Sequence, residues 1–248
     1  MACSLSELDP AQVRRRLHGR GLALRLGPFG VRLRSTLPEV AQWLPFLYAA
    51  YPAPQDLAFA DFHVQLDRPP GLRRWYRPQV QFLLDAALPF KPLPRGQALP
   101  FFEWGLNWCV ARHAHQYLIL HAGVLERGGN ALLLPGPPGA GKSTLCAALM
   151  NRGWRLLSDE LALIHPESGA VQPLPRPVSL KDRGIEVIRH LDPEAPFGPS
   201  CSDTVKGTVA HVSPPPDAVR RIDEAAAPGW VVRPEYGGGT GASLQPLA

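Results

Sequence analysis

The sequence predicts an α/β chain, and three observations predict it. A short apolar strand, Ala131–Leu134, leads into the glycine-rich segment Gly136-Pro137-Pro138-Gly139-Ala140-Gly141-Lys142-Ser143, and that segment leads into an amphipathic helix, Lys142–Asn151. Two apolar runs of strand length, Arg155–Ser158 and Leu161–His165, follow the helix. Residues 22–34 alternate apolar and basic on both sides of a Gly-Pro turn, the pattern of a hairpin with one wet face.

Composition bounds what this chain can be. Its 248 residues are 45% hydrophobic and 19% charged, enough apolar surface for a packed core. The 29 prolines and 23 glycines fall in clusters, which predicts irregular connections and short elements. A formal net charge of +5 suits a polyanionic ligand such as a nucleotide but is no nucleic-acid signature. The run Arg14-Arg15-Arg16 with Arg20 reads as the solvated face of a short amphipathic helix. Cys3, Cys109, Cys146 and Cys201 are far apart, form no metal-type pair, and read as reduced thiols of a cytoplasmic protein. Residues 1–20 lack the apolar stretch of a signal peptide, and no run is long enough to span a bilayer.

From the N-terminus, Thr36 reads as the cap of a helix over 37–50, with Pro38 in its first turn and Glu39 three residues after the cap. Phe59–Leu66 and Trp75–Leu84 read as strands. Five prolines between Pro89 and Pro100 suggest a boundary, so three regions are expected: 1–95, an α+β region for substrate or partner recognition; 96–236, the catalytic domain; and 237–248, a mobile Gly-rich tail. Phe101, Trp104, Leu106, Trp108 and Cys109 recur at helical spacing as a core stripe. Tyr117–Leu125 and Ala131–Leu134 pair through the loop Glu126–Asn130. Val178–Leu180, Val209–Val212 and Trp230–Val232 read as short strands. Asp61 and His63 share a strand face, and Trp75-Tyr76-Arg77 reads as packing.

The central segment fits G-x-x-x-x-G-K-[ST]. Its glycines let the backbone curl so that N–H groups point at phosphate oxygens, Lys142 reaches the β and γ phosphates, and the Ser143 hydroxyl ligates Mg²⁺. The following helix, which continues through Thr144, presents its N-terminus to the same anions. Such a match arises by chance in about one sequence in a hundred of this length. The strand before it is the second arm of a hairpin rather than part of a parallel β-α-β chain. Beyond the helix, Asp159 and Glu160 end a short strand, where neighbouring side chains point to opposite sides: one toward a metal, the other toward an acceptor.

These residues resemble the catalytic domain of bacterial HPr serine kinase/phosphorylase. His121-Ala122-Gly123, Gly136 to Ser143, Arg152-Gly153-Trp154-Arg155-Leu156 and Ser158-Asp159-Glu160 follow that family's order of strand histidine, hairpin, phosphate loop, helix and acidic pair. The chain is more closely similar to the divergent HPr-kinase-related kinase A group. That likeness runs through FADFHVQL (59–66), GLRRWYRPQVQFLLD (71–85), FKPLP (90–94), EWGLNWC (103–109), QYLILHAGVLERGG (116–129), LLSDELALI (156–164), EVI (186–188) and TVKGTVAHV (204–212). The resemblance implies a mixed sheet of the phosphoenolpyruvate carboxykinase type around the phosphate loop. It implies ATP and Mg²⁺ as cofactors and a protein or peptide serine as acceptor. Asp159 would be the carboxylate that orients and deprotonates the acceptor, Glu160 the metal-facing one beside Ser143, His121 a residue near the phosphates, and Lys206 a cation near the transferred group. The family's Glu-Ile-Arg-Gly segment has its nearest counterpart in Ser179–Gly184, where Lys181 or Arg183 offers a cation. Relatives are expected to continue into helices beyond the position of Ala248.

The expected activity is therefore ATP-dependent transfer of a γ-phosphoryl group to a hydroxyl, on a cytoplasmic protein with neither nucleic acid nor membrane as partner. HPr kinases form hexamers, so self-association is an open expectation. A nucleotide-gated peptide-binding module and a small-molecule kinase are the alternatives. No guanine-reading N-K-x-D motif is present.

Overall fold

The computed structural model describes residues 3–237 and 241–246, without the Arg73 side chain. Of the tail, 238–240 and 247–248 lie outside the described residues, and 241–246 carry no regular structure. The chain is mixed α/β, with strands in three sheets.

The first sheet is built on local signals. Asp9 caps α1 (Pro10–His18) by accepting from Gln12 N, and Val13 and Leu17 bury one face while Arg14 and Arg15 stay exposed. The expected hairpin forms from β1 (Leu22–Leu26) and β2 (Phe29–Ser35), in register from Leu22–Leu33 to Leu26–Phe29. The helix that follows, α2 (Pro38–Leu47), is not capped by Thr36. Its N-cap is Leu37, whose N–H donates to Ser35 Oγ at 3.1 Å, while the Thr36 hydroxyl donates to Asp67. Glu39 is engaged by Arg95 rather than by the cap. The remaining strands are β3 (Phe62–Asp67), parallel to β2, then β4 (Gln79–Leu84) and β5 (Leu93–Pro94), both antiparallel to their neighbours. Asp61 holds this sheet together, accepting from Gly30 N at 2.7 Å.

Helix α3 (Ala98–His113) carries the expected core stripe: Phe101, Phe102, Leu106 and Cys109 are buried. Its core is continuous with the first sheet, since Phe101 and Phe102 belong to the same buried cluster as Leu24, Leu33, Val64 and Phe82. Leu161, Leu163, Leu174 and Ile222 belong to it as well, so the apolar core runs across the position near 95 where the prolines suggest a boundary.

The second sheet contains the glycine-rich loop. β6 (Leu118–Arg127) and β7 (Asn130–Pro135) pair antiparallel through the tight turn Gly128-Gly129, both glycines at positive φ as a primed hairpin turn requires. After α4 (Lys142–Met150) come β8 (Arg155–Ser158) and β9 (Leu161–Ile164), both antiparallel to β6, and then β10 (Val171–Gln172). The third sheet and its surroundings were less legible. It comprises β11 (Val178–Lys181), β12 (Cys201–Thr204) and β13 (Gly207–Val212), with α5 (Arg183–Leu191) packed on α4. After α6 (Pro216–Arg220), β14 (Ala227–Val231) returns to pair parallel with β7, which makes the second sheet mixed.

Helix α4 lies between the second and third sheets. Leu125, Leu134, Cys146, Ala147, Leu156, Leu180 and Ile188 form one buried cluster around it. At roughly 1.5–3 kcal/mol per fully buried aliphatic side chain, this cluster fixes the helix start against both sheets. Gly123 permits the close approach: a Cβ there would meet Cys146 Sγ at 2.5 Å. Among the described residues, no helix is long and apolar enough to cross a membrane, and all four cysteines are free thiols.

Candidate functional site

The glycine-rich loop leaves the end of β7 and enters α4 directly. Gly139 and Gly141 sit at φ +86° and +92°, a conformation that side-chain-bearing residues rarely adopt, and no atom lies within 4 Å of where a Cβ would stand. Their role is thus backbone geometry with an open face, not close packing. Pro137 and Pro138 carry no N–H. Among the described residues, the N–H groups of Gly139 and Gly141 donate no hydrogen bond, and the first-turn amides of α4 have no intrahelical acceptor. Lys142, only 8% exposed, folds back so that Nζ donates to the carbonyls of Gly136 at 2.6 Å and Pro137 at 3.1 Å. The result is a curled backbone with free N–H donors, a helix N-terminus and an ammonium at one place, an arrangement suited to an anion with several oxygens.

The acidic pair divides as alternation requires. Asp159 is 6% exposed and points inward; its Oδ2 accepts from Ser179 N at 2.9 Å, and the Ser143 hydroxyl lies beside it. Its Oδ1 accepts no hydrogen bond. Burial, reinforced by the neighbouring Glu160 charge, pushes the Asp159 carboxyl up to about 7, against the opposing pull of the Ser179 N–H, Ser143 and Arg176. Glu160 turns the other way and accepts from Asn107 Nδ2 on α3 at 2.7 Å. Ser143 is therefore brought together with Asp159, whereas the expected metal pair was Ser143 with Glu160. The physical reason is register: β8 ends at Ser158, and the residue after it falls on the α4 side of the sheet. Among the described residues no cluster of three His, Cys, Asp or Glu could hold a metal by itself.

His121 lies in β6 one residue before the Ala122–Pro135 pair and opposite Leu161. That places it between the start of the loop and the acidic pair, exposed rather than in the core. Lys206, in the turn between β12 and β13, holds its Nζ 4.9 Å from the centre of the Trp104 ring. Partial burial and the nearby Lys181 lower its pKa, while Glu160 and Asp159 act to raise it. Lys206 thus lies beside Trp104 and the acidic pair. Thr144 packs where α5 crosses, 2.8 Å from where a Gly184 Cβ would sit. Arg183 stacks over Tyr236 and is not part of the acidic cluster. Trp75 and Tyr76, expected as packing, are 76% and 68% exposed.

Arg176 carries no signal in the sequence, and Glu103, Asn107 and His211 lie in stretches that carry the resemblance without being singled out there. Arg176, between Pro175 and Pro177, donates from Nη1 to Glu103 Oε2 at 3.3 Å and from Nη2 to Asn107 Oδ1. Glu103 also accepts from the Tyr48 hydroxyl. Burial raises Glu103 to about 7, although Arg176 and Tyr48 pull it down. His211, paired in register with Ser179, is 1% exposed; burial, with Arg176 and Lys206, lowers it to about 3, so it is neutral. The cavity among Trp104, Asn107, Asp159, Glu160, Arg176 and Ser179 measures about 10 Å³, room for about one water molecule. Among the described residues, Trp104 Nε1, Asp159 Oδ1 and Ser179 Oγ around it, with both His211 ring nitrogens, have no hydrogen-bond partner. Buried polar atoms are rarely left so, and a cluster of them marks a place where a further polar group fits.

No family model matches the chain, and no curated protein matches it significantly. The likeness to HPr serine kinases thus rests on the motif residues themselves.

Proposed function

We infer that the chain is an ATP-dependent kinase of the HPr serine kinase type, transferring the γ-phosphoryl group to a serine hydroxyl of a protein or peptide. One observation carries the reading: a buried carboxylate, Asp159, with one oxygen unpartnered, beside the serine that follows the lysine of a glycine-rich loop. Phosphoryl transfer asks little covalent chemistry of a protein; it asks for phosphate positioning, a metal held by a loop hydroxyl and a carboxylate, and an oriented acceptor.

The residues fit ATP and Mg²⁺. The loop amides and Lys142 would hold the phosphates, and Ser143 with Asp159 would hold the metal. ATP supplies the transferred group, and Mg²⁺ offsets the charge that builds on its oxygens. The neighbours of the two acids favour exchanging the roles that the resemblance implies: Asp159 on the metal side, Glu160 orienting the acceptor and accepting its proton. Glu160 faces Asn107 and the Lys206–Trp104 pair. Lys206 there would meet the negative charge of the group in transit. The phosphoenolpyruvate carboxykinase-type fold belongs to the same proposal, and the hairpin before the loop and the parallel return of β14 support it.

The test is label transfer from γ-labelled ATP to serine-containing proteins and peptides. Wild type labels an acceptor or releases labelled phosphate, and Asp159→Asn loses at least about two orders of magnitude of that rate. An Asp159→Asn variant as active as wild type removes Asp159 from the chemistry and the kinase reading with it.

A further inference from the structure

Helix α3 brings Glu103 and Asn107 one turn apart onto the same face, toward the acidic pair. Four hydrogen bonds then run in series. The Tyr48 hydroxyl donates to Glu103, Arg176 donates to both Glu103 Oε2 and Asn107 Oδ1, and Asn107 Nδ2 donates to Glu160 Oε2 at 2.7 Å. A guanidinium can only donate, so the amide facing it must present its oxygen. That choice leaves Asn107 only its NH₂ to offer Glu160. The direction of the bonds from Arg176 through Asn107 to Glu160 is therefore set by Arg176, which is 8% exposed and lies between Pro175 and Pro177.

We propose that Asn107 and Arg176 are positioning residues that hold the Glu160 carboxylate in one orientation, with one oxygen bound by Asn107 and the other left to the acceptor. This rests on the kinase reading above. Neither residue touches the phosphates; each acts through Glu160. A Glu side chain unheld by such a partner has three rotatable bonds to order on every turnover, and a displacement of about 1 Å in a positioned group can cost a hundredfold in rate. The series also ends on Tyr48 at the C-terminus of α2, so the geometry of the acidic pair is tied to the first sheet's helices.

The decisive variant is Asn107→Asp. It keeps an oxygen for Arg176, so a purely structural bridge survives, but at pH 8–9, where it is ionised, it has no proton to donate and sets a further carboxylate against Glu160. Melting temperature, affinity for Mg·ATP and release of labelled phosphate from γ-labelled ATP are measured together. The expected result is an unchanged melting temperature, a nucleotide affinity within about twofold of wild type, and turnover reduced about tenfold to a hundredfold. Turnover equal to wild type overturns the proposal and leaves the kinase reading standing. A wild-type protein that binds no Mg·ATP instead sinks the kinase reading, and the proposal falls with it. Should Asn107→Asp not fold, Asn107→Ser, too short to reach Glu160, is read by the same turnover criterion.

Discussion

Asp159 is the residue on which the chemistry and the stability of this protein pull against each other. Its carboxyl rises from an ordinary 3.8 to about 7 because it is buried beside another acid. A carboxyl raised in the folded state binds its proton more tightly there than in the unfolded chain. The associated stability is fully present below about pH 4 and is lost as pH rises through about 7. Ionising Asp159 at neutral pH thus costs the fold up to about 4 kcal/mol. Asp159→Asn, which keeps an oxygen for the Ser179 N–H, should melt higher than wild type at pH 8, with the gap closing toward pH 4. A gap independent of pH, measured by thermal unfolding across that range, would show that Asp159 is not held in a protonating environment. Glu103 contributes a slope of the same sign in both proteins, so the difference between them isolates Asp159.

At the scale of elements, the hairpin, the loop and α4 form one unit because β6 passes directly under the helix. Gly123 makes this possible, with a Cβ there 2.5 Å from Cys146 Sγ. Gly123→Ala should destabilise by about 1–3 kcal/mol, and Cys146→Ala in the same chain should recover most of that loss. Additive losses in the denaturation midpoints of the double variant would contradict the contact. These elements were legible in the sequence because their signals are local: apolar runs at strand length, a Gly-Gly turn, a lysine at a helix start. Thr36 shows where local reading stops, since its hydroxyl went to Asp67 on a strand far along the chain instead of to the helix beside it. Arg176 was silent for the same reason: an arginine between prolines has no periodicity of its own, and only the approach of Glu103 and Asn107 on α3 gives it partners. Asn107 and His211 lie in stretches that carry the resemblance, but nothing local gives either of them its neighbours. The exchange of roles proposed for Asp159 and Glu160 likewise needs the position of Ser143, which spacing in the chain does not supply.

Across the whole molecule, one buried cluster joins the first sheet to the later chain, beside a second cluster around α4 and a third on the second sheet. Leu161, Leu163, Leu174 and Ile222 pack in the same cluster as the first sheet. Polar ties cross at several points: Tyr51 donates to Pro175 O at 2.7 Å, Ser213 to Leu47 O at 2.9 Å and Gln97 to Asp203 O at 2.9 Å. Buried Arg155 pairs with Glu126 and also donates to the carbonyls of Arg221 and Glu224, tying the C-terminal return to the hairpin. A core shared in this way predicts one cooperative unfolding transition, with calorimetric and van 't Hoff enthalpies in agreement. Two resolved transitions would mean that the first sheet folds apart from the rest. The same continuity makes it reasonable that a tyrosine in α2 belongs to the series ending at the acidic pair.

All of this turns on whether the glycine-rich loop binds a triphosphate. Calorimetric titration of wild type and Lys142→Ala with Mg·ATP tests that most directly. Wild type should bind, and the variant, which removes the ammonium now held by the carbonyls of Gly136 and Pro137, should bind at least about tenfold more weakly at an unchanged melting temperature. Equal affinity in the two proteins would contradict the account.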